Sequence, residues 1–196
     1  MLLAGCRDAP PDDRDAATAP DTAQLRMVAE SAAAHDSAVV RNERRAVLAP
    51  AGEGWTTGST AIQLSAGSLA TLRSVRESEH EGFDRVVFDF GERSLPNYEL
   101  AYVESPQHQC GSGEAVRLKG EAWLSIKLQP VQAHDDTGRP TVAERSREPG
   151  LEAIRELRLM CDSLAQVEWV AGLARRGGYR AMMLQQPTRL VVDVRH

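Results

Sequence analysis

The stretch Arg85-Val86-Val87-Phe88-Asp89-Phe90 decides the fold class. In an extended chain Val86, Phe88 and Phe90 fall on one side, while Arg85 and Asp89 fall on the other. A helix would scatter these side chains around its axis. The closing stretch Arg189-Leu190-Val191-Val192-Asp193-Val194-Arg195 repeats the pattern, with Leu190, Val192 and Val194 opposite Arg189, Asp193 and Arg195. Ala122/Leu124/Ile126/Leu128 and Val167/Trp169/Ala171/Leu173 alternate in the same way, with Lys127 and Glu168 among the interleaved polar residues. These alternating positions are the expected core.

Outward from these segments, strands are predicted over 70–76, 85–90, 98–103, 122–128, 153–160, 166–173, 179–184 and 189–194. The expected fold is all-β, a β-sandwich of about eight strands over residues 55–196. Asp136-Thr137-Gly138 and Gly177-Gly178 supply residues that tolerate positive φ, and Pro96-Asn97 breaks the chain before a strand. Leu151, Ile154 and Leu157 also fit a helical stripe, so strand and helix both stay open there. The stretch 131–150, with Pro140 and Pro149 and several charges, is expected to be an exposed loop.

The N-terminal quarter has a different texture. Residues 7–54 contain no aromatic residue and are crowded with Ala, Asp, Glu and Pro, the composition of a flexible tether. Asp21 and Gln24, with Leu25, Val28, Ala29 and Ala32 following on one face, fit a short helix inside it. A net charge of −5 argues against a general nucleic-acid binder, and no apolar run is long enough to span a bilayer as a helix. Leu3-Ala4-Gly5-Cys6 resembles the lipobox of bacterial lipoproteins, in which the cysteine sulfur carries diacylglycerol. Residues 1–6 are accordingly read as the remnant of a lipoprotein signal, with an upstream start codon and Cys6 as the lipid-bearing residue.

Leu72-Arg73-Ser74-Val75-Arg76 and the run from Glu79 through Phe90 resemble the opening of AMIN and AMIN-like domains of bacterial envelope proteins. Thr188-Arg189-Leu190-Val191-Val192-Asp193-Val194 resembles their final strand. His134-Asp135-Asp136-Thr137-Gly138-Arg139-Pro140-Thr141 and Trp169-Val170-Ala171-Gly172-Leu173 are similar to the AMIN-like variety of predicted lipoproteins. The resemblance implies a β-sandwich that helps to place envelope proteins, by contact with peptidoglycan. It implies no hydrolase, and it assigns no residue a role.

An exported protein meets an oxidising compartment, so Cys110 and Cys161 are expected to form a disulfide. Two free thiols, or a metal site with His108, are the alternatives. No His-Glu-x-x-His pattern or nucleophile elbow occurs, so neither catalysis nor a cofactor is expected. A hydrolase or metal enzyme built on His80 or His134 is a weaker alternative, and the Asp135-Asp136 pair reads as a solvated turn before it reads as a calcium site.

For a binding module, Trp123 and Tyr179 offer rings for stacking on sugars, and Arg175, Arg176, Arg180 and Arg189 offer partners for carboxylates or phosphates. Trp123 falls opposite the Ala122/Leu124/Ile126 face, which leaves it either functional or covered by the 131–150 loop. Trp169 reads as core. The expected protein is therefore a non-catalytic, lipid-anchored envelope module that contacts cell-wall glycan. The alternative is an accessory subunit that docks an envelope protein through a sheet edge.

Overall fold

The alternating segments form strands in the computed structural model, which describes residues 47–48, 54–64, 68–91, 95–105 and 107–196. In chain order the strands are β1 (Val47–Leu48), β2 (Thr60–Ile62), β3 (Ala70–His80), β4 (Phe83–Phe90), β5 (Asn97–Val103), β6 (Gln107–His108) and β7 (Ala115–Val116). They continue with β8 (Ala122–Gln129), β9 (Val131–Gln132), β10 (Ser146–Arg147), β11 (Ile154–Ser163), β12 (Gln166–Leu173), β13 (Tyr179–Leu184) and β14 (Thr188–Arg195). Every regular element among the described residues is a strand.

The first sheet has the order β1-β13-β14-β4-β3-β9 and the second β10-β11-β12-β8-β5-β2, while β6 and β7 form a separate ribbon. The fold is thus all-β and sandwich-like, but it is not one simple eight-stranded sandwich. Each of the eight expected segments coincides with a strand, and the open segment resolves as strand from Ile154 onward, as β11. The additional strands are two or three residues long, too short for a period-2 pattern to register. Cys6 and the short helix expected after Asp21 lie outside the described residues. Val47–Leu48, within the stretch read as tether, pairs with β13.

The inward faces of both sheets share one core. Val86, Phe88, Phe90, Leu190, Val192 and Val194 from the first sheet meet Leu124, Ile126, Leu128, Val167, Trp169 and Leu173 from the second. Phe88 and Trp169 touch edge-on across the gap, with ring centroids 6.3 Å apart. Each such buried large side chain contributes on the order of 1.5–3 kcal/mol.

Polar side chains tie the sheets at their ends. Asp84, wholly buried, accepts the amides of Ala153 and Ile154 at 2.7 and 2.9 Å, which fixes the start of β11 beneath β4. Arg147 on β10 reaches across to β3, where it donates to Val75 O and pairs with Glu77 at 3.0 Å. Burial raises the Glu77 carboxyl above its ordinary range, and the charge and hydrogen bond of Arg147 pull the other way.

The 131–150 stretch is not the exposed loop that its prolines and charges suggest. It carries β9 and β10, and Val131, Ala133 and Val142 are buried in the main core. Val131 and Ala133 alternate over only two positions and Val142 stands nine residues further on, too short a pattern to announce a buried segment.

Candidate binding surface

A β-bulge in β3, between Leu72 and Ser74, decides which side chains reach the outer face of the first sheet. Leu72 points inward, and without the extra residue Ser74 would follow it. The bulge shifts the phase, so Ser74, Arg76, Ser78 and His80 align with Asp89, Val87, Arg85 and Phe83 of β4. Those in turn align with Arg189, Val191, Asp193 and Arg195 of β14, and the first three of these with Leu184, Met182 and Arg180 of β13. Four successive rows of outward side chains result, and each contains an arginine.

Two aspartates serve four of those arginines. Asp193, wholly buried, receives Arg85 through bonds of 2.7 and 3.1 Å and Arg180 at 2.8 Å. One carboxylate held between two guanidiniums leaves the trio with net positive charge. Asp89 lies 3.3 Å from Arg189 and 3.6 Å from Arg76, whose side chain is 56% exposed. Arg195 has no carboxylate partner among the described residues. Its guanidinium sits 4.7 Å from the Trp55 ring centre, and that of Arg180 lies at the same distance.

Phe83 completes this end of the surface. The guanidiniums of Arg180 and Arg85 lie 5.2 and 5.4 Å from its ring centre, and the exposed His80 ring stacks on it at 4.9 Å. Cation–π contacts of this kind hold long arginine side chains in place. Trp55 is brought here by paired backbone bonds between Thr56 and Tyr179. Sequence reasoning missed Trp55, Phe83, Arg76, Arg85 and Arg195 as a group. The available signal was that the polar side of the alternating β4 and β14 segments is rich in arginine.

The expected arginines divide between two places. Arg180 and Arg189 lie on this surface, whereas Arg175 and Arg176 lie in the β12–β13 connection. Arg176 there covers the Tyr102 ring at 4.5 Å and donates to Thr57 O at 3.3 Å. Arg175 is exposed.

Neither expected stacking ring is open to a sugar. Tyr179 alternates inward with Ala181 and Met183 and is wholly buried, with its hydroxyl donating to Gly58 O at 2.6 Å. Burial pushes its phenol pKa up. Trp123 does face outward from the second sheet, yet with Met160 and Val170 it packs under Val116 and Leu118 and donates to Leu118 O at 3.3 Å. Its cover is the 107–119 segment, not the 131–150 stretch.

The Cys110–Cys161 disulfide is present and pins that segment to β11. Two glycines let the segment lie flat on the sheet. A Cβ on Gly172 would sit 1.9 Å from Lys119 O; one on Gly120, which has φ +110°, would sit 2.4 Å from Leu173 O. Glu156 accepts the Lys119 amide at 2.8 Å beside them.

The histidines named as catalytic alternatives stand apart. His80 touches Ser78 and Phe83, while His134 lies 3.1 Å from both carboxylate oxygens of Asp162. Asp135 forms a closed turn, accepting the amides of Thr137 and Arg139 at 2.9 Å. The Thr137 hydroxyl, with the Arg139 amide, holds its carboxyl below the usual range. Among the described residues no three His, Cys, Asp or Glu side chains gather as a metal site would require. Two shallow recesses, of about 250 and 220 Å³, have no histidine in their walls.

Residues 70–196 match the family model of the AMIN-like domain, while the curated proteins and the solved structures gave no match. That span includes most of both sheets, the bulge that sets the outer rows and both cysteines of the disulfide. The chain belongs to the AMIN-like domain family.

Proposed function

We propose that the protein is a non-catalytic binding module of the bacterial cell envelope, which contacts peptidoglycan or another wall component through the outer face of its first sheet. AMIN-like domains are generally associated with envelope and peptidoglycan contacts. The observation that carries the reading is the arginine in each of four rows on one face of a chain whose net charge is −5. In this reading Cys6 bears the lipid, residues 7–54 set the reach, and residues 55–196 do the binding. Co-sedimentation with purified sacculi tests it. Retention well above that of an unrelated exported β-sandwich is the expected result, and equal retention refutes the proposal.

A second reading rests on the β11–β12 turn. Leu164 is 94% exposed there, and Leu164 and Ala165 both take left-handed φ, 53° and 59°. In this reading an envelope protein docks over that exposed side chain, which the turn holds in a sparsely populated backbone conformation. A photocrosslinking residue placed at Leu164 in cells would capture one recurrent protein if this reading holds; no adduct above background rejects it.

A further inference from the structure

We infer that the outer face of the first sheet takes an extended phosphodiester polymer of the wall rather than a neutral glycan or an isolated carboxylate. This rests on the envelope-binding reading and names the ligand of the same surface.

The first ground is what the aromatic rings do. Trp55 holds two guanidiniums at 4.7 Å, and Phe83 is engaged by Arg180, Arg85 and His80. Rings occupied in this way position cations and are not laid open for a sugar face. The guanidiniums that reach solvent are those of Arg76, whose side chain is 56% exposed, and Arg195, and a guanidinium recognises oxyanions in a fixed fork geometry.

The second ground is spacing. Alternate residues on a strand lie about 7 Å apart, so the rows of Arg189, Arg76, Arg85 with Arg180, and Arg195 run over about 20 Å. A single carboxylate, such as the end of a stem peptide, engages one row. A phosphodiester chain with three-carbon units carries a charge at a spacing of the same order, so it reaches from exposed Arg76 to exposed Arg195, past the partly exposed Arg180 between them. After the first contact each further contact is intramolecular, so affinity accumulates along the chain.

The third ground is the unequal neutralisation. Asp89 is shared by Arg76 and Arg189 in two of the rows, Arg180 shares Asp193 in the third, and Arg195 in the fourth has no carboxylate partner among the described residues. The surplus positive charge is therefore spread along the rows rather than gathered at one point. No Glu shares these rows.

The experiment uses the full chain, with poly(glycerol phosphate) as the probe and binding measured by titration calorimetry across a salt series. The test variant is Arg76→Gln with Arg195→Gln. These two arginines are the least committed to internal pairs, so the Arg85–Asp193–Arg180 trio and the fold stay intact. The expected result is binding that the double substitution weakens by about tenfold. Its salt slope should also be shallower by roughly 1.4, for two lost phosphate contacts.

Sacculi stripped of phosphodiester-linked polymer by hydrofluoric acid separate the two levels of the argument. If stripped and intact sacculi retain the protein equally and the polymer does not bind, the ligand class is overturned while the envelope reading stands. If neither kind of sacculus nor the polymer binds, both fall. A DNA duplex bound as tightly as the polymer also overturns the inference, because the face would then read polyanions without regard to their source.

Discussion

Three tyrosines make the same chemical deletion informative in three environments. The Tyr179 hydroxyl lies 2.6 Å from Gly58 O and 3.0 Å from Leu100 O, with Thr60 Oγ1 at 3.3 Å. The Tyr102 hydroxyl donates to Gly177 O at 2.6 Å and accepts the Gly177 amide at 3.1 Å. The Tyr98 hydroxyl is buried and has no partner among the described residues. Removing a bonded hydroxyl from beside a buried carbonyl costs about 1–2 kcal/mol, whereas removing an unbonded one relieves a desolvation penalty of similar size. Tyr179→Phe should therefore destabilise the protein by about 1–2 kcal/mol, Tyr102→Phe by about 1 kcal/mol, and Tyr98→Phe should stabilise it by about 1 kcal/mol. The gap between the first and last is about 2–3 kcal/mol, or on the order of 5–10 °C in Tm for a chain of this size. Urea unfolding followed by tryptophan emission reads all three, with unchanged m-values as the check on two-state behaviour. A loss on Tyr98→Phe equal to that on Tyr179→Phe would refute the hydrogen-bond reasoning.

The disulfide joins residues 51 apart, so its reduction should cost about 4 kcal/mol in the chain-entropy model. It should also free the 107–119 segment, seen as a red shift of Trp123 emission at denaturant concentrations below global unfolding; equal urea midpoints for the two forms contradict this. Replacing the left-handed Leu164–Ala165 pair by Asn-Gly should raise stability by about 1 kcal/mol, measured as a higher urea midpoint, because the new residues accept positive φ without strain. Burial raises the Glu77 pKa above its ordinary 4.5, so stability from this group is full below that value and is lost as pH rises through its folded value. Glu77→Gln should flatten that part of the stability–pH curve, and a slope identical to that of the parent protein argues against the assignment.

How much could be read from the residues depended on period and on spacing along the chain. Val86/Phe88/Phe90 and Leu190/Val192/Val194 announce their strands because three alternating apolar residues have no other economical arrangement. The same alternation places Tyr179 inward with Ala181, so its burial was legible although its aromatic ring suggested a surface role. Trp123 was legible as outward, but its cover was not, since a cross-link between Cys110 and Cys161 brings in a segment with no periodic signal. The binding surface was half legible. Arg85, Arg189, Asp193 and Arg195 were on the polar side of their strands, but convergence required the register of four strands and the β3 bulge, neither of which local pattern encodes.

The two outer faces then explain where a ligand can go. On the second sheet, Trp123, Met160 and Val170 are roofed by Val116 and Leu118, and Gly172 admits the roof to within contact of the sheet backbone. On the first sheet the corresponding positions hold arginines fixed by Asp89, Asp193, Trp55 and Phe83, and the side chain of Arg76 and the residue Arg195 reach solvent. One face has therefore been used to stabilise the domain and the other keeps its donors for an external partner. It follows that loosening the roof by reduction should leave wall binding intact at temperatures where the domain stays folded, while neutralising Arg76 and Arg195 should weaken binding and leave the urea midpoint nearly unchanged. Were reduction to abolish binding in a folded protein, the ligand would belong on the second sheet, under or against the disulfide-held segment.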